Sequence, residues 1–287
     1  MRSIIFIFCI FVFAISSCKK DDLVINNNIA PPDTTIENVT VEDYVNRTYI
    51  LLLGREPSSS ELTTALNTLK SSKLSVSSRS NFLDGVLSQP EYYAHNYDRW
   101  RVELLNNLDT AEYTQMIFVF NFFLNDSNYL YIWPTLQLEI SRLELIQDAY
   151  ADYASGLILF PELQRRMVDN YFYDQINMGD VNFVLSTFQH FLNRNPTIQE
   201  QNSAVAMLSG FNSALFLKAG ASKNDYLNIF FNSDDYYEGT VVRMYQDYLL
   251  RSPQSAEMSD GALMYKSSKN LKMIQKLIMV SDEFVKN

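Results

Sequence analysis

The pattern Leu-x-Arg-x-Pro-x-x-x-Glu occurs three times in this chain: from Leu53 to Glu61, from Leu192 to Glu200 and from Leu249 to Glu257. The fixed members are Arg55, Pro57 and Glu61, then Arg194, Pro196 and Glu200, then Arg251, Pro253 and Glu257. An aromatic residue precedes each Arg by six positions: Tyr49, Phe188 and Tyr245. Each copy closes on a Ser, acid and aromatic cluster, at Ser88 to Tyr92, Ser233 to Tyr236 and Ser281 to Phe284. Self-similarity at this level is the signature of a repeat protein, in which each unit is one supersecondary element.

The motif reads as the corner of a helical hairpin. Upstream of the first copy, Val41, Tyr44, Val45, Thr48, Tyr49, Leu52 and Leu53 share one face of a helix. Gly54 suits the left-handed residue that ends a helix, and Pro57 blocks its continuation. Ser58 with Glu61, and Thr197 with Glu200, have the spacing of a capping box that starts the next helix. Gln254 stands at that cap position in the third copy, which predicts a weaker start. The three Arg lie beside a helix C-terminus, where a cation is favoured, and within reach of the following Glu. That structural role is preferred over capture of an anionic ligand, because all three copies hold the same Arg, Pro and Glu.

The spacing predicts an all-α body of repeated helical hairpins packed as one array over residues 41–287. Its units fall near 41–107, 181–239 and 240–287, with the final helix of the second shared with the start of the third. Ser88 and Glu91 predict a further capping box, with Pro90 in the first turn. Residues 108–180 resist assignment. Tyr113 and Phe118 repeat the spacing of Tyr44 and Tyr49 without an Arg-x-Pro after them, as a decayed fourth unit would. Phe122, Phe123, Tyr129, Tyr131 and Trp133 crowd a stretch around a turn at Asn125 to Asn128. Tyr129, Tyr131 and Trp133 are candidates for stacking on sugar rings, although aromatics at this density are expected in a core.

Residues 1–17 have the form of a secretion signal, with Arg2 followed by the apolar run Ile4 to Ile15. That run is too short for a permanent membrane span. It ends in Ile15-Ser16-Ser17-Cys18, which resembles the lipobox of bacterial lipoproteins. The resemblance implies cleavage before Cys18 and acylation of that residue, so that membrane lipid is the first partner. Lys19-Lys20-Asp21-Asp22 resembles the surface-export signal of Bacteroidota lipoproteins, implying an outer-membrane, surface-exposed address. Residues 18–40 read as a tether with a coil reach of roughly 25 Å.

Several chemistries are excluded. The two Cys are Cys9, in the signal, and Cys18, so the body has no thiol for a disulfide, a zinc site or a nucleophile. His95 and His190 are far apart, no metal or cofactor site is evident, and the neighbours Phe188, Phe191 and Leu192 suit a packed His190. The net charge of −10 opposes binding to nucleic acid.

An aromatic-rich helix, then the Arg-x-Pro corner, then helices ending in Ser-x-x-acid-aromatic, resembles an uncharacterised repeat domain of bacterial surface proteins related in pattern to phycobilisome linker domains. It is also similar to a helical domain of unknown function in planctomycete-type secreted proteins. Both resemblances imply an all-α fold and supply no catalytic residues. The function expected is therefore a lipid-anchored, non-enzymatic adaptor for a membrane or surface protein. A glycan-binding or uptake lipoprotein is the alternative, and a carboxylate-based hydrolase comes behind it.

Overall fold

The computed structural model describes residues 34–286, with side chains from Val39 onward. Cys18, the signal and most of the tether lie outside the described residues. The described chain is all-α apart from one short hairpin. The first unit comprises α1 (Thr34–Leu53), α2 (Ser59–Ser71) and α3 (Val76–Leu87), followed by α4 (Pro90–Leu105). Helix α1 thus begins at Thr34, within the stretch read as tether. The Ser-rich segment after Ser71 is largely helical too, because Ser75 caps α3 by accepting from the Ser78 amide.

The stretch that resisted reading is also helical. It holds α5 (Thr110–Leu124), a 3-10 turn over Ser127–Ile132, α6 (Trp133–Gln147), α7 (Ala149–Ser155), α8 (Phe160–Val168) and α9 (Tyr171–Ile176). Asp109 and Glu112 form a capping box at the start of α5, after a left-handed Asn106 ends α4. This is a corner of the same kind without the Arg-x-Pro. Arg101 serves there instead, donating to the carbonyls of Asn107 and Leu108. The decayed-unit comparison holds only in part, since Tyr113 is fully buried while Phe118 is 73% exposed.

The second unit begins with α10 (Asp180–Thr187), which widens into a π turn over Phe188–Leu192, and continues with α11 (Ile198–Leu208). An antiparallel hairpin of β1 (Ser213–Leu215) and β2 (Lys218–Gly220) follows, with Ala214 paired to Ala219. The sequence reading contained no strand. Helices α12 (Lys223–Phe230) and α13 (Asp234–Leu249) complete the unit, and α13 also opens the third, with α14 (Ser255–Ser268), α15 (Leu271–Met279) and α16 (Asp282–Lys286).

Long side chains tie α4 to α13 and to the π turn. Trp100 stacks on Phe191 at 5.5 Å between ring centroids, the Arg243 guanidinium covers the Trp100 ring at 4.5 Å, and Arg243 grips Glu103. Arg99 is bonded to Asp247 on the same seam. The first and third units also meet directly rather than only through the second. Phe284 is buried edge-on against Tyr44, Arg47 donates to the Phe284 carbonyl, and Arg79 pairs with Asp282 at 2.6 Å. Tyr92 donates to Gln275, which donates on to Tyr248, linking α4, α15 and α13 through fully paired buried groups.

The helices come close where side chains are small. Counting from the left-handed residue of each corner, Ala65, Ala204 and Gly261 occupy one position of the second helix. A Cβ on Gly261 would stand 3.0 Å from Val241. Gly239 is tighter still, since a Cβ there would lie 2.2 Å from the Phe191 carbonyl oxygen. Asn193 donates to the Gly239 carbonyl across this contact. No described helix is long and apolar enough to cross a membrane.

Candidate functional site

The three corners have one geometry. Helix α1 ends on Gly54 at φ +70°, α10 with its π turn on Asn193 at +53°, and α13 on Leu250 at +55°. Each left-handed residue turns the chain so that the next residue, the Arg, folds back over the helix end. Arg55 donates through two nitrogens to both oxygens of Glu61, each at 2.9 Å. Arg194 does the same to Glu200 at 2.9 and 2.7 Å, and Arg251 to Glu257 at 2.8 and 2.8 Å. The Glu in turn accepts from the backbone amide at the cap position, Ser58, Thr197 or Gln254, at 2.7 Å in every copy. The third corner keeps this half of the box despite its Gln.

The closing cluster of each unit supplies a second carboxylate to the same Arg. Glu91 reaches Arg55 at 3.2 Å, Asp235 reaches Arg194 at 2.5 Å, and Glu283 accepts from Arg251 at 2.6 and 2.7 Å. This corrects the capping box expected at Ser88 and Glu91. Gln89 is the cap residue of α4, Ser88 donates to the Gly85 carbonyl, and Glu91 serves the Arg. The aromatic six residues upstream lies under the guanidinium, at 5.4 Å for Tyr49, 5.1 Å for Phe188 and 5.2 Å for Tyr245. Sequence reasoning found the Arg, the first Glu and the aromatic but missed the second acid. Its signal was available, because the residue after it is a buried aromatic each time: Tyr92, Tyr236 and Phe284.

In all three corners both terminal nitrogens of the Arg are already bonded, and the third corner is saturated. All five N–H donors of Arg251 are used by Glu257, Glu283 and the Ser252 carbonyl. Two carboxylates surround each guanidinium, so the local charge opposes a third anion. The hydrogen bond from Arg55 holds the Glu61 carboxyl down at about 2, and that from Arg194 does the same for Glu200. The motif is a structural lock.

The crowded aromatic stretch divides into two faces. Tyr129 packs edge-on against Phe123 at 4.7 Å, and the Trp133 indole donates to the Phe123 carbonyl at 3.2 Å, so both turn inward. Tyr131 is 79% exposed and Leu130 54%. One turn apart on α5, Phe118 and Phe122 also face outward, and Leu138 does so on α6. The expectation that these aromatics form core is thus corrected for Phe122 and Tyr131; Phe123 packs against the core from a partly buried position, and Tyr129 and Trp133 are half-buried beside it. Helix α5 is apolar on nearly every side, which hid from the sequence which face would remain uncovered.

A polar cavity of ≈ 430 Å³ is lined by Asp174, Asn177, Met178, Asp180, Phe183 and Lys223 among others. Burial pushes the Asp174 carboxyl up, and Lys223 partly offsets this by donating to both its oxygens at 2.7 and 2.8 Å. Lys223 also sits over the Phe183 ring, and Asp180 accepts from Ser209. Both carboxylates of the cavity are therefore already engaged. His190 is half-buried with Nδ1 3.1 Å from the Tyr173 hydroxyl, and burial lowers its pKa. Among the described residues no group of three or more His, Asp and Glu is placed to hold a metal ion. No protein-family model, curated protein or solved structure matches the chain.

Proposed function

We propose that this protein is a lipid-anchored, non-enzymatic adaptor that engages a membrane or surface protein through the outward face of α5 and the turn after it. The observation that carries this reading is the uncovered set Phe118, Phe122, Leu130 and Tyr131 on one helical hairpin. Large apolar side chains grouped on a surface favour protein contact, where aromatic anchors dominate binding energy. The lipobox-like Ile15 to Cys18 supports the anchor, and the short tether keeps the body near the bilayer. Surface export follows from the charged residues after Cys18 in the same reading.

A glycan platform has less support. Of Tyr129, Tyr131 and Trp133, Tyr131 alone is broadly exposed, and a sugar-stacking site ordinarily needs open aromatic faces. A hydrolase has less again, because Asp174 and Asp180 are held by Lys223 and Ser209.

The test is in-cell photocrosslinking from positions 118 and 131, with Cys18→Ala as the companion variant. A discrete adduct with a membrane or surface protein is expected from wild type, and Cys18→Ala should leave the membrane fraction and lose the adduct. Turnover of a glycan or peptide by the purified body, with no protein adduct, would overturn the adaptor reading.

A further inference from the structure

In the second unit the β1–β2 hairpin fills the space between α11 and α12. The Phe216 ring lies 6.0 Å from Phe188 and 6.4 Å from Phe230, centroid to centroid. A Cβ on Gly220 would stand 3.2 Å from the tip of Ile229. Counted from the corner and from the cap of the following helix, Phe188, Phe230 and Ile229 correspond to Tyr49, Val86 and Gly85 of the first unit. The third unit has Leu277 at the position of Gly85.

No hairpin stands between α2 and α3, which a short turn joins directly. Gly85 has nothing within 4 Å of where a Cβ would be. The outcome is an open groove of ≈ 490 Å³ over Tyr49, Ala65, Leu69, Phe82 and Val86, with Gly85 on its wall. Tyr49 and Phe82 lie 6.3 Å apart in its floor. The first unit therefore keeps open the space that Phe216, in the turn of the hairpin, fills in the second.

The hairpin itself presents an apolar tip. Phe216 and Leu217 sit at φ +49° and +62°, a left-handed pair that such two-residue turns ordinarily give to Asn and Gly. Phe216 turns in against its own unit, and Leu217 is fully exposed at 102%. No packing among the described residues accounts for an apolar side chain held at this position in a strained turn.

We infer that the first-unit groove receives the Leu217 tip of a second copy of this chain. The groove and the tip belong to different surfaces, so the contact is heterologous and runs head to tail, each copy offering one of each. This inference rests on the correspondence between units and not on the adaptor reading.

The test is sedimentation velocity of the full chain in density-matched detergent, with Leu217→Asp as the tip variant. Gly85→Ile is the groove variant, placing there the side chain that the second unit carries at this position, and Asn81→Arg on the exposed rim is a second one. Wild type should grow with concentration beyond a dimer, and each variant alone should sediment as a monomer with its melting temperature retained. Mixed in equal amounts, a tip variant and a groove variant should give one-to-one dimers and nothing larger, since one intact tip and one intact groove remain. A wild type that stays monomeric at every concentration, or assembly that survives both a tip and a groove substitution, would overturn the inference.

Discussion

At the scale of the residue, each corner depends on one left-handed position and one guanidinium held by two carboxylates. Gly54 fills the first cheaply, whereas Leu250 holds φ +55° with 87% of its surface exposed. A left-handed conformation costs a side-chain-bearing residue roughly 1–2 kcal/mol, and Leu250 recovers little of this by burial. Leu250→Gly should therefore stabilise the protein by up to about 1 kcal/mol, once the greater freedom of glycine in the unfolded chain is set against the relief. Urea unfolding monitored by circular dichroism reads this as a higher midpoint with unchanged slope. A lower midpoint would mean that Leu250 makes contacts this account does not recognise. Gly54 has a second constraint that the sequence did not reveal, since a Cβ there would stand 2.4 Å from Nδ1 of His95.

At the scale of the element, the corners were legible because capping is local chemistry. Pro57, Ser58 and Glu61 announce a helix start within five residues, and the structure places the same bonds at Thr197 and Glu200. The hairpin was not legible, because Leu215-Phe216-Leu217-Lys218 carries no Gly or Asn to mark its turn. The widening of α10 into a π turn was hidden as well, since Phe188, Phe191 and Leu192 fit an ordinary helical period. The second acid of each corner escaped because its partner Arg is more than thirty residues away. The locks also predict acid behaviour. Glu61 and Glu200 are held at about 2 in the folded chain against an ordinary value of 4.5. Depressed carboxyls contribute in full above their unfolded value and lose that contribution as pH falls through the folded one. Stability should thus decline between about pH 4.5 and pH 2, and the decline should be shallower in Glu61→Gln and Glu200→Gln, as unfolding midpoints across that range would show. An equal slope in wild type and both variants would remove the locks from the account.

At the scale of the whole molecule, the chain closes on itself. Residues near the C-terminus complete the core of the first unit, with Phe284 buried against Tyr44 and Arg47 bonded to its carbonyl. Phe284→Ala should cost roughly 3–5 kcal/mol, as removal of a buried aromatic does, and should loosen α1 and α16 together in hydrogen exchange. Protection lost in α16 alone would show that the first unit stands without it. Helix content was readable from pattern, whereas this closure depends on contacts some two hundred residues apart that no local pattern encodes. With the interior so occupied and each corner Arg held by two acids, the uncovered face of α5 is what the account assigns to a partner. The most direct test is the yield of the in-cell adduct when Phe118, Phe122 and Tyr131 are together replaced by Ser, with the crosslinker at position 115 beside them. Loss of the adduct at an unchanged melting temperature is expected, whereas an adduct of undiminished yield would show that this face is not where the partner binds.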